Sequence, residues 1–161
     1  MQLETIKLGG VMSYKDRFKE RNKRRYAEKK CIAFFNENKI TYTRYGFDCL
    51  DDIKPKQFMM IPEVLRNTPD YMTFLSKAVL VEVKGCFNTI RIKASDMKSY
   101  DWWSKLCPIT MFLYNKATDS HKLATYAQVR ELALEINDKD YYPDNGKLYY
   151  KIPFHRIRGT E

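Results

Sequence analysis

Three charged residues, Asp70, Glu82 and Lys84, are of the types that do acid–base or metal chemistry, and their setting brings them together. Tyr71 to Leu75 and Ala78 to Lys84 read as two strands joined through Ser76 and Lys77. A turn centred on residue 76 pairs Phe74 with Ala78, Met72 with Leu80 and Asp70 with Glu82. Directly opposed residues share a sheet face about 5 Å apart. Lys84 joins them, because residues i and i+2 project the same way. The run Ala78 to Val83 (AVLVEV) is apolar on both faces until Glu82, the pattern of a central, doubly covered strand. Facing carboxylates at the end of such a strand resist joint ionisation. A divalent cation such as Mg²⁺, which takes carboxylate and phosphate oxygens, resolves that conflict. Beside it, the Lys84 ammonium could orient an attacking water or stabilise charge on a phosphate. The simpler alternative is a salt-bridged hairpin, in which Lys84 neutralises Glu82 and Asp70 only turns the chain after Pro69.

A third carboxylate, Glu28, lies upstream in a stretch that reads as one long helix. Residues 14–38 contain no Gly or Pro and are rich in Lys, Arg, Glu and Ala, with Ser13 placed to cap the start. Ile32 and Phe35 follow Glu28 at i+4 and i+7, so Glu28 falls on the stripe that faces the sheet. A cation shared with Asp70 and Glu82 would satisfy it there. Local pairing with Arg24, Arg25 or Lys29 is the alternative.

The elements that position these groups follow from hydrophobic period and turn residues. Ile40 to Phe47 reads as a strand, Asp48 to Pro62 as a turn about Asp51 and Asp52 with a short strand at Phe58 to Ile61. Ser95 opens a helix to Lys105 that Pro108 stops, Ile109 to Tyr114 is a compact apolar strand, and Thr125 to Ile136 an amphipathic helix. Leu148 to Ile152 reads as the last strand, followed by a loose basic end. The order predicts one mixed α/β layer structure.

Composition agrees with an ordered domain. The chain has 161 residues, 44% hydrophobic and 14% aromatic, enough to fill one core and hardly enough for two. No apolar run reaches the length of a membrane span and Met1 to Gly10 lacks the build of a signal peptide, so a soluble, cytoplasmic protein is expected. Cys31, Cys49, Cys86 and Cys107 include no CxxC pair, which disfavours a zinc ribbon and fits reduced thiols. The net charge is +9, and Tyr14 to Lys30 alone carries +6, from nine basic residues against three acidic. Lys15, Arg17, Lys19, Arg21, Lys23, Arg24 and Arg25 could neutralise a phosphate backbone, or form a solvated helix face.

Taken in order, Glu28, Pro69-Asp70 and Glu82-Val83-Lys84 resemble the PD-(D/E)xK nuclease superfamily. The resemblance is greatest to its small phage and archaeal Holliday-junction endonucleases. It rests on Glu28 before Ile40-Thr41-Tyr42, on Thr68-Pro69-Asp70-Tyr71, and on Val81-Glu82-Val83-Lys84-Gly85. It implies a restriction-endonuclease-like α/β core, a mixed central sheet flanked by helices, over about residues 15–115. Residues 125–152 would complete a single domain of residues 1–161, with a basic tail at 153–161. It implies a Mg²⁺-dependent DNA endonuclease, with Mn²⁺ able to substitute, acting on branched or structured duplex as a homodimer. Asp70 and Glu82 would be metal ligands, with the Val83 backbone carbonyl and, directly or through water, Glu28; Lys84 would be the catalytic lysine. One branch, the RecB-like exonucleases, carries Gln-x-x-x-Tyr after the catalytic strand. Here that stretch reads Asp96-Met97-Lys98-Ser99-Tyr100, which argues against that branch but leaves Lys93 and Lys98 to touch backbone phosphates. A sequence-specific, transposase-like or RNA-directed nuclease, or a non-catalytic basic nucleic-acid-binding domain, are the other readings.

His121 and His155 fall in expected loops, outside any His/Glu metal pattern. Trp102 and Trp103 cannot both face inward, so one is expected at the surface, and Tyr100 could stack on a base or anchor its helix.

Overall fold

A computed structural model describes residues 25–47 and 53–160. In chain order these form α1 (Tyr26–Glu37), β1 (Thr41–Arg44), α2 (Pro55–Met60), α3 (Glu63–Arg66), β2 (Tyr71–Phe74) and β3 (Ala78–Cys86). There follow β4 (Thr89–Lys93), α4 (Ala94–Trp103), β5 (Ile109–Asn115), β6 (Ser120–Thr125), α5 (Tyr126–Ile136), β7 (Lys139–Tyr141), β8 (Leu148–Pro153) and a 3₁₀ turn at Phe154–Arg156. No described helix is long and apolar enough to cross a membrane.

The central sheet has the order β1-β2-β3-β5-β6. It is mixed: β1, β2 and β3 run antiparallel, β5 runs parallel to β3, and β6 antiparallel to β5. The two-sided apolar run of β3 therefore does sit in the middle of the sheet, with Leu80 and Val81 both buried. The hairpin register is the one the turn at residue 76 predicts, Phe74 opposite Ala78, Met72 opposite Leu80 and Tyr71 opposite Val81.

Alternation along β3 divides the core in two. On one face Tyr71, Val81, Val83 and Phe112 pack against Cys31 and Phe35 of α1. On the other, Leu80, Met111 and Leu113 pack with Met97, Tyr100 and Trp103 of α4 and Val129 and Ala133 of α5. Helix α5 starts at a capping box, Thr125 Oγ1 accepting from Gln128 N–H at 3.2 Å while Gln128 Oε1 accepts from Thr125 N–H at 2.9 Å.

Several expectations are corrected. The expected strand at Phe58 to Ile61 falls within and just after helix α2, where Pro55 opens the helix and Pro62 follows it; the run Phe58-Met59-Met60 has no β-branched residue to favour a strand. The strand expected at 40–47 is only Thr41–Arg44. The last strand forms as expected, at Leu148–Pro153, and pairs with β4 and β7 in a separate three-stranded sheet. The basic end is tied down as well, because Phe154 and Ile157 are buried and Thr160 bridges to Leu123. His121 lies on β6 and not in a loop, its ring stacked on Phe112 at 4.8 Å. The expected start of the first helix, its Ser13 cap and Cys49 lie outside the described residues. Cys31, Cys86 and Cys107 are free thiols.

Candidate functional site

Asp70 is placed by the backbone before its side chain does anything. The chain leaving β1 crosses the start of β2, where Tyr45 and Gly46 N–H both donate to the Asp70 carbonyl, at 2.9 and 3.1 Å. Gly46 permits that crossing: a Cβ there would stand 3.3 Å from Asp70 Cα. The Asp70 carboxylate then turns onto β3, where Oδ2 accepts the Val83 N–H at 2.8 Å. Asp70 thus stands at the seam between the two strands, one residue beyond the paired register that would oppose it to Glu82.

Glu28 reaches the same seam from α1. Its partner is Arg44, at the end of β1, whose Nη1 donates to Glu28 Oε2 at 2.8 Å and to the Tyr71 hydroxyl at 3.0 Å. Arg44 Nη2 lies 3.8 Å from Asp70 Oδ1, so one guanidinium joins Glu28 to Asp70. The local pairing alternative is also realised in part, since Arg25 lies 3.5 Å from Glu28. Burial pushes the Tyr71 phenol up to about 12, against the pull of Arg44.

Glu82 and Lys84 occupy the opposite face, toward α4. Lys84 Nζ lies 2.7 Å from Glu82 and 3.3 Å from Asp96. Tyr100 completes the group, its ring 5.9 Å from the Lys84 ammonium and its hydroxyl favouring the charged form of Glu82. Asp96 and Tyr100 are one turn apart on α4 and so share a face. The helix is fixed against its neighbours by Trp103 Nε1–H donating to the Val64 carbonyl at 2.9 Å and by the Tyr126 hydroxyl donating to the Met97 carbonyl at 2.8 Å. Burial raises the Glu82 pKa and the Lys84 ammonium draws it back. Burial works against that ammonium, but the carboxylates of Glu82 and Asp96 outweigh it and hold Lys84 well above its usual value. Lys84 is therefore a fixed positive charge.

The sequence-derived constellation is thus brought to one end of the β2–β3 pair but divided into two ion-paired groups. Glu28, Arg44 and Asp70 form one; Glu82, Lys84, Asp96 and Tyr100 form the other. The cause is the strand alternation itself: α1 covers the Val81 and Val83 face, while Glu82 and Lys84 project with Leu80. Among the described residues no three His, Cys, Asp or Glu side chains converge as a metal cage. The donor chemistry at Glu28 and Asp70 nonetheless suits a hard cation, because these two carboxylates already share one positive centre, the Arg44 guanidinium.

Arg44 was not singled out by sequence reasoning, although its place two residues after the inward Tyr42 on a half-covered strand marks it as inward-pointing. Asp96 entered only as a departure from a motif, and its contact with Lys84 needed the fold. Of the candidate phosphate contacts, Lys98 is exposed on α4, Lys93 ends β4 with its ammonium 5.7 Å from the Tyr142 ring, and Arg25 precedes α1. Lys15, Arg17, Lys19, Arg21, Lys23 and Arg24 lie outside the described residues. Trp103 faces inward and Trp102 outward; Tyr100 is buried, and His155 is exposed on the 3₁₀ turn.

No protein-family model matches the chain, and no curated protein does. Its structure is similar to that of a Holliday junction resolvase from the archaeal hyperthermophile Archaeoglobus fulgidus. The TM-score is 0.52 at 12% identity, covering 86% of this chain and 91% of that one. It also matches a nuclease from a fusselovirus, with TM-score 0.47 and 10% identity over 93% of this chain and 89% of that one. The chain therefore has the resolvase-like fold, a mixed central sheet flanked by helices.

Proposed function

We propose that the protein is an endonuclease that hydrolyses phosphodiester bonds of DNA, with branched or structured duplex as its substrate. The observation that carries this reading is the seam itself. Asp70 is anchored on the Val83 N–H next to Glu82, Lys84 follows two residues on, and Glu28 meets Asp70 across Arg44. The resolvase-like fold supports the same reading.

Glu28 and Asp70, with the Val83 carbonyl, are the groups that would hold Mg²⁺ or Mn²⁺, and Glu82 would join them by turning from Lys84 toward the seam. When bound, such a cation would lower the pKa of a coordinated water and neutralise charge on the phosphate. The chain's own residues do the rest. Lys84, kept charged between Glu82 and Asp96, would supply a positive centre for a phosphate oxygen or attacking water. Arg44 holds the Glu28 and Asp70 charges together in the absence of another cation. Arg25, Lys93 and Lys98, with the basic residues from Lys15 to Arg24, would neutralise backbone phosphates. Symmetric cutting of a four-way junction requires a two-fold pair of sites, hence a homodimer.

The test is a substrate panel of four-way junction, linear duplex, single strand and RNA, each with Mg²⁺ and with EDTA. Junction cleavage confined to the Mg²⁺ arm supports the proposal; no cleavage in any arm refutes it. The second reading, a non-catalytic basic DNA-binding domain, is favoured by the division of the carboxylates, Glu28 and Asp70 held by Arg44 on one face and Glu82 and Asp96 by Lys84 on the other. It predicts junction binding with no Mn²⁺ uptake by calorimetry.

A further inference from the structure

The β3–β4 turn presents a large apolar side chain to solvent on a backbone that is held still. Phe87 is 72% exposed. Its neighbour Asn88, at φ +65°, is tied three ways: its N–H donates to Asn115 Oδ1 at 2.9 Å, its Oδ1 accepts from Asn115 Nδ2 at 3.1 Å, and its carbonyl accepts from Phe154 N–H at 2.8 Å. Asn115 is itself buried at the end of β5. A rigid turn that exposes phenylalanine gains nothing for folding from that side chain, but it provides a platform that loses little entropy when something stacks on it.

Phe87 is also one wall of a cleft of about 730 Å³, shared with Tyr26, Tyr114, Arg25, Lys116 and Glu28. Tyr26 is 43% exposed and is backed by Tyr114, the rings 5.4 Å apart. Lys30 and Lys116 stand 5.4 and 5.9 Å from the Tyr26 ring. Gly85 closes the floor, where α1 and β3 approach so nearly that a Cβ would meet Ala27 Cβ at 3.0 Å. The cleft thus combines two exposed aromatic side chains with a cationic rim, in a chain of net charge +9, and Glu28 is part of its lining.

Cations with accessible ring faces are complementary to a phosphate backbone with uncovered bases. Bases within a duplex have their faces covered by stacking, whereas a single strand or an opened junction leaves them available. We infer that the Phe87–Tyr26 cleft is a subsite for an unpaired nucleobase, with its flanking phosphates lying on Arg25 and Lys116. This deepens the proposed function, on which it rests for the phosphate beside Glu28: the nuclease would engage DNA whose strands have locally parted.

The experiment measures binding with EDTA present, so that cleavage plays no part. Dye-labelled single-stranded DNA, a four-way junction and a blunt duplex are titrated against wild type, Phe87→Ala, Phe87→Trp and Tyr26→Ala by fluorescence anisotropy. Phe87→Ala should weaken single-strand and junction binding about 10-fold while leaving the duplex within about twofold, since stacking contributes at this level per base. Phe87→Trp should retain binding, and a 2-aminopurine probe should be quenched by wild type and not by Phe87→Ala. A single-stranded RNA of the same sequence tells whether the base alone is recognised, with equal losses on both strands, or the deoxyribose as well, with the loss on DNA only. Equal weakening on duplex and single strand, or none on either, overturns the subsite. If the Phe87 effect is found but no substrate is ever cut, the subsite stands and the nuclease reading falls.

Discussion

Replacing Lys84 with methionine removes the one ammonium that two buried carboxylates share. Its Nζ lies 2.7 Å from Glu82 and 3.3 Å from Asp96, with the Glu82 side chain 7% exposed. At an effective dielectric of about 20, an ion pair at the Glu82 distance attracts by roughly 6 kcal/mol before desolvation is counted. Desolvation of both ions offsets much of this, and breaking a buried pair by removing one partner costs about 3–5 kcal/mol net. Lys84→Met should therefore lower stability by that amount at pH 7, or the melting point by roughly 6–20 °C for a domain of this size. The pH dependence identifies the cause. Burial already raises the Glu82 pKa, and losing the cation raises it further. A carboxyl whose folded pKa exceeds its unfolded value of about 4.3 favours the fold below that pH and loses this contribution as pH rises through the folded pKa. The variant should accordingly recover stability as the pH is lowered from 7 toward the unfolded carboxyl value. Urea denaturation across that range, with Glu82→Gln and the double variant Glu82→Gln/Lys84→Met, completes a cycle in which the double variant is more stable than Lys84→Met alone. A Lys84→Met protein within about 0.5 kcal/mol of wild type at pH 7, with no recovery in acid, would refute the buried-network account.

Two further predictions concern the α1 side. Tyr71, pushed up to about 12 by burial, holds its proton in the fold after the unfolded chain has released its own near pH 10. The contribution is complete below pH 10 and lost as pH rises through 12, so wild type should lose about 1 kcal/mol relative to Tyr71→Phe between pH 9 and 11 in urea titrations. Gly85→Ala would bring a Cβ to 3.0 Å from Ala27 Cβ and force α1 away from β3. A destabilisation of about 1–2 kcal/mol is expected, relieved in the double variant with Ala27→Gly, and thermal unfolding of the three proteins measures it.

How much of this was legible in the sequence depended on local period. The AVLVEV run and the turn at residue 76 specify a central strand and its register, because one face of each strand must be buried and a slip by one residue would expose it. The same alternation shows that Glu82 and Lys84 share a face. It does not show which face α1 covers, so the separation of Glu28 from Glu82 was invisible until the helix was placed. The strand Thr89–Lys93 has the right alternation, Ile90 and Ile92 inward, but was overlooked next to the stronger helix after it. The strand Ser120–Thr125 gives hardly any signal, with Ala124 its only buried residue; pairing with β5 overrides its weak propensity. Arg44 was missed because an arginine on a short strand reads as surface. It is drawn inward by two carboxylates that are distant in sequence, and such pairings carry no local pattern.

Single-turnover incubation of a labelled four-way junction with Mg²⁺, comparing wild type with Asp70→Asn, tests the central claim most directly. The asparagine can still accept the Val83 N–H through its amide oxygen, so the seam and the fold are preserved while the charge is removed. Cleavage by wild type, and a loss of at least about 100-fold in the variant with junction affinity unchanged, is the predicted result. An intact junction with wild type, or equal product from both proteins, would contradict it.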